Sequence, residues 1–456
     1  MGCVLFHSLT VGLYCYLCQI IMIEKALVNL KIKELNAMQL SALEIAKKGG
    51  DFMLLSPTGS GKTLGFLLPV LGLLKPNVAG VQALVIVPSR ELALQIEQVF
   101  KQMGTGFKAN SCYGGHNTRT EKNNLSHPPA VLIGTPGRLA YHIDRGNVET
   151  TNIHTLVLDE FDKALEFGFK TEMEFIIGRL KGLKKRILTS ATAMDLVPEF
   201  TGIKNIAKID FLQDSPVENV LKLKYLRAAE NDKLDLLFSL ICSLKNKATL
   251  VFCNHREAVE RIGDLLAAKG LAHGEFHGGM DQEDRERSLI KFRNGSHRTL
   301  ITTDLAARGL DIPEIEAVVH YQLPNTLDIF THRNGRTARM NAEGTAYLML
   351  AAEDHLPEFL TTKPELDTMA ENPVLPAQAP WQTLYIGAGK KDKINKMDIV
   401  GMLLKIGGLK KEELGLIEVL DNAAYAAVAA PKMQMVLKNI RGEKIKGKKV
   451  KMEISH

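Results

Sequence analysis

The run Ser56-Pro57-Thr58-Gly59-Ser60-Gly61-Lys62-Thr63 lies between two apolar stretches, Phe52-Met53-Leu54-Leu55 and Leu64-Gly65-Phe66-Leu67-Leu68. No other feature constrains the chain as much. Apolar residues on both sides set a glycine-bearing loop between a strand and a helix. Such a loop turns backbone N–H groups toward one spot, and the helix start adds positive potential there. A lysine reaches the outer oxygens of a bound phosphate chain, and the following hydroxyl can ligate a divalent cation. Thr58, Gly59, Ser60, Gly61, Lys62 and Thr63 are therefore candidate ligands of a nucleoside triphosphate, with Thr63 on magnesium. Ser56 stands where the generic pattern has its first glycine, so the spelling is not the usual one.

The 456 residues exceed what one core holds and suit two or three domains. From Phe52 to about Asp210, short buried-type strands such as Ala83–Val87, Ala130–Ile133 and Leu156–Leu158 alternate with helical patterns. The same rhythm restarts after Ser215-Pro216, with strands at Thr249–Phe252, Thr299–Thr302 and Ala317–His320. Strands alternating with helices predict parallel sheets covered on both faces, here twice in tandem. Pro364, Pro373, Pro376 and Pro380 mark residues 363–380 as an extended linker. Beyond it the pattern predicts a strand over Thr383–Ile386, a helix over Lys396–Lys405 and strands over Ile417–Leu420 and Ala424–Ala429. A helix over Pro431–Asn439 and a last strand near Val450–Ile454 complete it. That order suits a β-α-β-β-α-β sandwich of the RNA-recognition type.

Charge divides the same way. The net charge is +6, yet Trp381 to His456 carries 15 Lys/Arg against 8 Asp/Glu, while residues 1–380 carry 42 against 43. A polyanion is the natural partner of a folded basic module. The six cysteines, Cys3, Cys15, Cys18, Cys112, Cys242 and Cys253, form neither a disulfide framework nor a paired zinc site. A reducing cytoplasm is the expected compartment. Val4–Ile23 is mostly apolar but holds His7, Ser8, Thr10 and Gln19 and has no basic residue before it. Residues 1–21 are accordingly read as a non-native or disordered apolar extension, with Met22 beginning the protein and no stable membrane association.

Leu156-Val157-Leu158-Asp159-Glu160-Phe161-Asp162 ends a buried strand in three carboxylates. In an open parallel sheet that end lies beside the phosphate loop. Asp159 is suited to hydrated magnesium and Glu160 to orienting a water for phosphoryl transfer, where positioning and charge stabilisation dominate.

The chain resembles a DEAD-box RNA helicase from roughly Met22 to Thr362. The motifs run in order: Gln39, the phosphate loop, Pro88–Leu92, Gly114-Gly115, Thr135–Arg138, Asp159–Asp162 and Ser190-Ala191-Thr192. They continue with Val251–Cys253, Gln282–Arg285, Thr302–Asp304, Ala307–Asp311 and His332–Arg339. The resemblance implies an α/β chain of two tandem RecA-like parallel-sheet domains plus a small C-terminal RRM-like α+β domain. Its expected boundaries are 22–212 for the ATP-binding domain, 213–362 for the second helicase domain and 381–456 for the RNA-binding domain.

The resemblance also implies residue roles and an activity, an RNA-dependent ATPase that separates short RNA duplexes with ATP and Mg2+. Gln39 reads adenine, Asp311 contacts the ribose or the neighbouring cleft, and Arg336 and Arg339 act as arginine fingers supplied in cis. Asp162, Ser190, Thr192 and His332 couple the nucleotide to the second domain. Arg90, Gly115, Thr135, Arg138 and Thr303 hold the RNA backbone, which fixes register without reading bases.

The tail resembles the RNA-binding domain of DbpA-type helicases through Leu384–Ile394 and Ile445–Val450. That resemblance implies a structured hairpin of large-subunit ribosomal RNA as partner and a role in ribosome assembly. The basic excess of the tail makes Lys390, Lys391 and Lys393 candidates for neutralising phosphates, and a monomer is expected. Tyr385 and Tyr425 are open to two readings, base stacking or core packing. Phe161 replaces the family alanine, and Leu35–Gln39 lacks the usual proline and threonine. A non-catalytic RNA clamp and a DNA helicase of the same superfamily thus stay open.

Overall fold

The computed structural model describes residues 21–57, 59–115, 118–194, 196–212, 221–304, 315–337, 344–360, 362–370 and 372–455. Residues 1–20, the bulk of the apolar extension, lie outside them. Among the described residues no helix is long and apolar enough to cross a membrane.

The first body holds seven parallel strands: β1 (Asp51–Leu55), β2 (Ala83–Ile86), β3 (Ala109–Cys112), β4 (Val131–Gly134), β5 (Thr155–Leu158), β6 (Lys185–Ser190) and β7 (Ile206–Asp210). Their order is β3-β4-β2-β5-β6-β1-β7. Alternation along β1 explains the two-sided burial: Phe52 and Leu54 enter one core, Met53 and Leu55 the other. Because β5, β6 and β1 are neighbours, the loop after β1, the acidic end of β5 and the Ser190-Ala191-Thr192 turn after β6 emerge side by side. Phe161 is fully buried in the second of these cores, 6.2 Å from the Phe200 ring.

The second body repeats the pattern with β8 (Leu221–Arg227), β9 (Thr249–Phe252), β10 (Gly274–Phe276), β11 (Thr299–Thr302), β12 (Ala317–His320), β13 (Gly344–Leu350) and β14 (Glu365–Leu366), ordered β10-β11-β9-β12-β13-β8-β14. β14 changes the picture of the proline-rich stretch. Glu365 and Leu366 pair parallel to Lys224 and Tyr225, Lys224 Nζ reaches Asp367 at 2.9 Å, and Met369 packs on the adjoining core. Residues 363–380 therefore begin fastened to the sheet edge rather than free.

The same body contains the C-terminal module, a four-stranded antiparallel sheet ordered β16-β17-β15-β20 with a separate small hairpin. The strands are β15 (Trp381–Ile386), β16 (Leu414–Val419), β17 (Ala424–Ala429) and β20 (Met452–Ile454), and the hairpin is β18 (Lys444–Ile445) with β19 (Lys448–Lys449). The helices are Lys396–Lys405 and Met433–Asn439. The first starts where Asn395 and Asp398 exchange side-chain and backbone hydrogen bonds at 3.1 and 2.8 Å, a capping box. Leu384, Ile386, Ala424, Ala426 and Val428 form the core beneath.

The opposite face of this sheet is covered. Lys291 Nζ donates to the Ser455 carbonyl at 3.0 Å, and Asn294 Nδ2 and Ser296 Oγ both lie 2.8 Å from Thr383 Oγ1. Arg293 pairs with Glu418 at 3.5 Å. Tyr385 and Tyr425 meet edge to face at 5.6 Å, and burial pushes the Tyr425 phenol up to about 12, with Arg287, Glu283 and Glu286 nearby. Helix Gln282–Arg293 and the turn after it thus seat the module on the second helicase domain.

Candidate active site and nucleic-acid interface

Gly59 and Gly61 hold left-handed backbone, with φ of 86° and 88°. Gly61 is the N-cap of helix Lys62–Leu73 and brings no side-chain acceptor, so the first helical N–H groups are left to whatever sits in the loop. A Cβ at Gly61 would lie 2.6 Å from Gln39 Nε2, which itself donates to the Gly61 carbonyl at 3.2 Å. Gln39 also accepts from the Asn36 N–H at 3.1 Å, while Asn36 Nδ2 donates to the Ser60 carbonyl at 2.9 Å. The N-terminus of helix Ala37–Lys48 is therefore tied directly to the phosphate-loop backbone. Lys62 is buried and donates to the Ser56 and Ser190 carbonyls at 2.6 and 3.4 Å.

Asp159 is buried, and that burial holds its carboxyl above the ordinary value of 3.8 against the lowering influence of Thr189 and Lys62. The Thr189 hydroxyl donates to Asp159 Oδ1 and accepts from the Glu160 N–H at 3.1 Å. Glu160 adopts left-handed backbone, φ 48° and ψ 50°, an unusual state for a non-glycine residue that costs on the order of 1 kcal/mol. Thr192 Oγ1 donates to Asp162 Oδ2 at 2.8 Å, and Ser190 Oγ exchanges hydrogen bonds with the Thr192 backbone at 2.7 and 3.0 Å.

Three buried oxygens here, Ser56 Oγ, Ser60 Oγ and Asp162 Oδ1, have no hydrogen-bond partner among the described residues. Buried polar atoms without partners are uncommon in folded proteins, and each calls for a physical explanation. A buried lysine, a buried carboxylate held toward its neutral form and glycine-turned N–H groups fit a polyphosphate with a divalent cation. Thr189 belongs to none of the motifs legible in the sequence; its one signal is a hydroxyl closing the otherwise apolar run Ile187-Leu188.

A second group forms in the same body. Gly115 has φ of 87° and would crowd the Arg90 guanidinium if it carried a Cβ. Thr135 caps helix Pro136–Asp144, which presents Arg138 on its first turn, and the Thr135 N–H donates to the Cys112 carbonyl at 3.1 Å. Arg90, Gly115, Thr135 and Arg138 therefore flank the ends of neighbouring strands.

In the second body, helix Leu327–Asn334 carries His332, buried and 3.2 Å from Asp328. Arg333 is fully buried and bidentate to Asp304 at 2.6 and 3.1 Å, and it also donates to the Gln322 carbonyl and Asn254 Oδ1 at 2.8 and 2.7 Å. It acts as a structural anchor for the segment that follows. Arg336, one turn on, is buried too. Thr303 follows β11, its N–H 3.3 Å from the Phe276 carbonyl. Thr58, Asp311 and Arg339 lie outside the described residues.

On the module, Lys390, Lys391 and Lys393 are exposed along one short 3-10 turn. Gly389 before them lies so close to the Leu420 carbonyl that no side chain fits. Lys446 Nζ donates to the Lys393 carbonyl at 2.7 Å, which draws the hairpin with Lys448 and Lys449 to the same edge. These hairpin lysines complete a basic rim wider than the three sequence-derived residues.

Comparison with known proteins agrees with this geometry. The chain matches the DEAD/DEAH box helicase family over residues 36–199, the helicase conserved C-terminal domain over 232–341 and the DbpA RNA binding domain over 383–454. It is 30% identical to the ATP-dependent RNA helicase DbpA of Bacillus subtilis, covering 94% of this chain and 96% of that protein. It is 31% identical to the Escherichia coli protein of the same name, covering 91% and 93%. Among solved structures it is similar to S. cerevisiae Dbp5 bound to RNA and ADP BeF3, with a TM-score of 0.65 and 27% identity over 72% of this chain and 87% of that one. Mss116p bound to ssRNA and AMP-PNP gives 0.67 and 26% over 77% and 78%. With a phosphate loop, an acidic strand end and a basic RNA-binding module on one chain, the protein belongs to the DEAD-box ATP-dependent RNA helicases of the DbpA type, RNA-dependent ATPases of RecA-like fold.

Proposed function

We propose that this helicase hydrolyses ATP with Lys62, Asp159 and Glu160 from the first domain and Arg336 and Arg339 from the second, and separates short RNA duplexes beside a structured ribosomal RNA. In this reading Thr58 to Thr63 cradle the phosphates, Gln39 reads the base and Asp311 contacts the ribose side. Lys62 balances phosphate charge, Glu160 orients the attacking water, and the arginines stabilise charge that builds as the phosphoryl group departs. Thr63 and Asp159 would hold Mg2+, which would supply charge neutralisation for the phosphates. Asp162, Thr192, Ser190 and His332 relay the state of the nucleotide.

Arg90, Gly115, Thr135, Arg138 and Thr303 grip the sugar-phosphate backbone, and Lys390, Lys391 and Lys393 hold the structured RNA. The substrate class proposed is large-subunit ribosomal RNA during ribosome assembly, handled by a cytoplasmic monomer.

The observation that supports this reading most is the convergence of Lys62, Asp159, Asp162 and Thr192 at the ends of three adjacent strands. Phe161 is absorbed by the core, which favours a working motor over a bare clamp. The test is ATPase activity with and without a ribosomal RNA hairpin. Lys62→Ala and Glu160→Gln should each abolish RNA-stimulated turnover, by about 100-fold or more; a wild-type protein with no stimulated turnover would leave the clamp.

A further inference from the structure

Glu121 lies outside the helicase motifs, yet its carboxylate meets three groups beside the proposed RNA surface. It projects from helix Thr118–Leu125 and is buried. Its Oε1 accepts from the Tyr113 N–H at 3.1 Å, immediately before Gly114-Gly115. Its Oε2 lies 2.8 Å from His142 Nε2 and 3.5 Å from Arg138 Nη1. Arg138 and His142 stand four residues apart on helix Pro136–Asp144, so one helical face presents both to the same oxygen.

The histidine is fixed in its turn. Asn147 Nδ2 lies 3.1 Å from His142 Nδ1, so the ring is held between Asn147 on one nitrogen and Glu121 on the other. Cys112, at the end of β3, has its sulfur within 4.8 Å of the same ligand atoms, and burial pushes its thiol up to about 12. It remains a neutral neighbour of the Glu121 carboxyl.

We infer that Glu121 is a positioning residue for RNA binding, one buried carboxylate that sets both the Arg138 guanidinium and the Tyr113-Gly114-Gly115 backbone in the arrangement that receives RNA. The inference rests on the proposed RNA role of Arg138 and Gly115. Its chemistry is that of a buried carboxylate met from three sides: the Tyr113 N–H, His142 and Arg138 are each held by the same group, so the guanidinium is aimed before RNA arrives and less ordering is left to binding. The strand, the helix and the loop that meet here each carry a different part of the surface, and Glu121 is the group they share.

Glu121→Gln keeps the shape and one acceptor but removes the charge and turns an amide donor toward His142 and Arg138. In the full-length protein it should raise the RNA concentration for half-maximal ATPase stimulation roughly tenfold, with the KM for ATP changed less than about twofold and thermal unfolding close to wild type. Asn147→Ala, which releases only the ring, should move the same RNA parameter in the same direction by a smaller factor. Arg138→Ala is measured beside them. If it weakens RNA binding while Glu121→Gln does not, the positioning role fails and the RNA assignment stands. If Arg138→Ala leaves RNA binding unchanged, the RNA assignment falls and takes this inference with it. A Glu121→Gln protein that loses RNA response, ATP affinity and thermal stability together would reduce Glu121 to a structural residue.

Discussion

Asp159 shows how a site residue can work against the stability of its own fold. Its carboxyl titrates above 3.8 because burial opposes the charged form, so the folded protein holds this proton to higher pH than the unfolded chain does. The group therefore costs nothing below its unfolded value, and stability is lost as pH rises through the folded one. Asparagine cannot ionise and escapes that loss. In magnesium-free buffer, Asp159→Asn should therefore melt above wild type at neutral pH, by about 2 to 4 °C. The gap should close as pH falls below the ordinary carboxylate range, while turnover is lost throughout. Melting curves across pH 3 to 8 measure this; a variant less stable than wild type at pH 7 would mean that Lys62 and Thr189 more than offset the burial of the charge. Thr189 explains why the sequence conveyed only part of the site. Asp159 and Glu160 stand in a recognisable run, but the hydroxyl that holds both comes from β6, about thirty residues on, and only strand adjacency makes it a partner.

Among elements, those whose cause is local were readable and those that borrow a neighbour were not. Helix Lys396–Lys405 and strand Ala424–Ala429 have the expected bounds, since the Asn395 cap and the alternating core residues act within the segment. The strand expected from Ile417 begins at Leu414, where a bulge against β17 lengthens the pairing. Glu365–Leu366 is a strand only because the β8 edge accepts it. The covered sheet face is the sharpest case: Thr383, Tyr385 and Tyr425 alternate with core residues whether they meet RNA or protein, and periodicity cannot tell these apart. What decides it is helix Gln282–Arg293 and its turn, with Thr383 Oγ1 shared by Asn294 and Ser296 in a buried network. Thr383→Val should leave both groups short of a partner, cost about 1 to 3 kcal/mol of unfolding free energy, and expose residues 372–380 to protease. Thr383→Ser should restore both. Proteolysis and melting identical to wild type in Thr383→Val would mean that the module is seated by other contacts.

For the molecule as a whole, the seating and the charge distribution act together. Residues 1–380 are nearly neutral, so a long-range pull on RNA comes from the module, and the module is held against the second helicase domain by helix Gln282–Arg293. Its basic rim is not uniform. Lys446 and Lys448 are paired with Asp398 and Asp392 at 2.9 and 2.8 Å, and Lys391 stands 3.8 Å from Asp421. Among the described residues Lys390, Lys393, Lys444 and Lys449 have no carboxylate within ion-pair distance, so their charge is the more available to a phosphate. Neutralising a phosphate releases condensed counterions, and each such contact adds roughly 0.7 to 0.9 to the slope of log affinity against log salt. Replacing Lys390, Lys391 and Lys393 with glutamine should therefore flatten that slope by about 2 for a structured RNA. Titrations between 50 and 300 mM salt would measure it. Weaker binding with an unchanged slope would show that these lysines shape the Gly389 turn rather than meet phosphates, and the RNA would then be held by the hairpin Lys444–Lys449 or by the helicase domains.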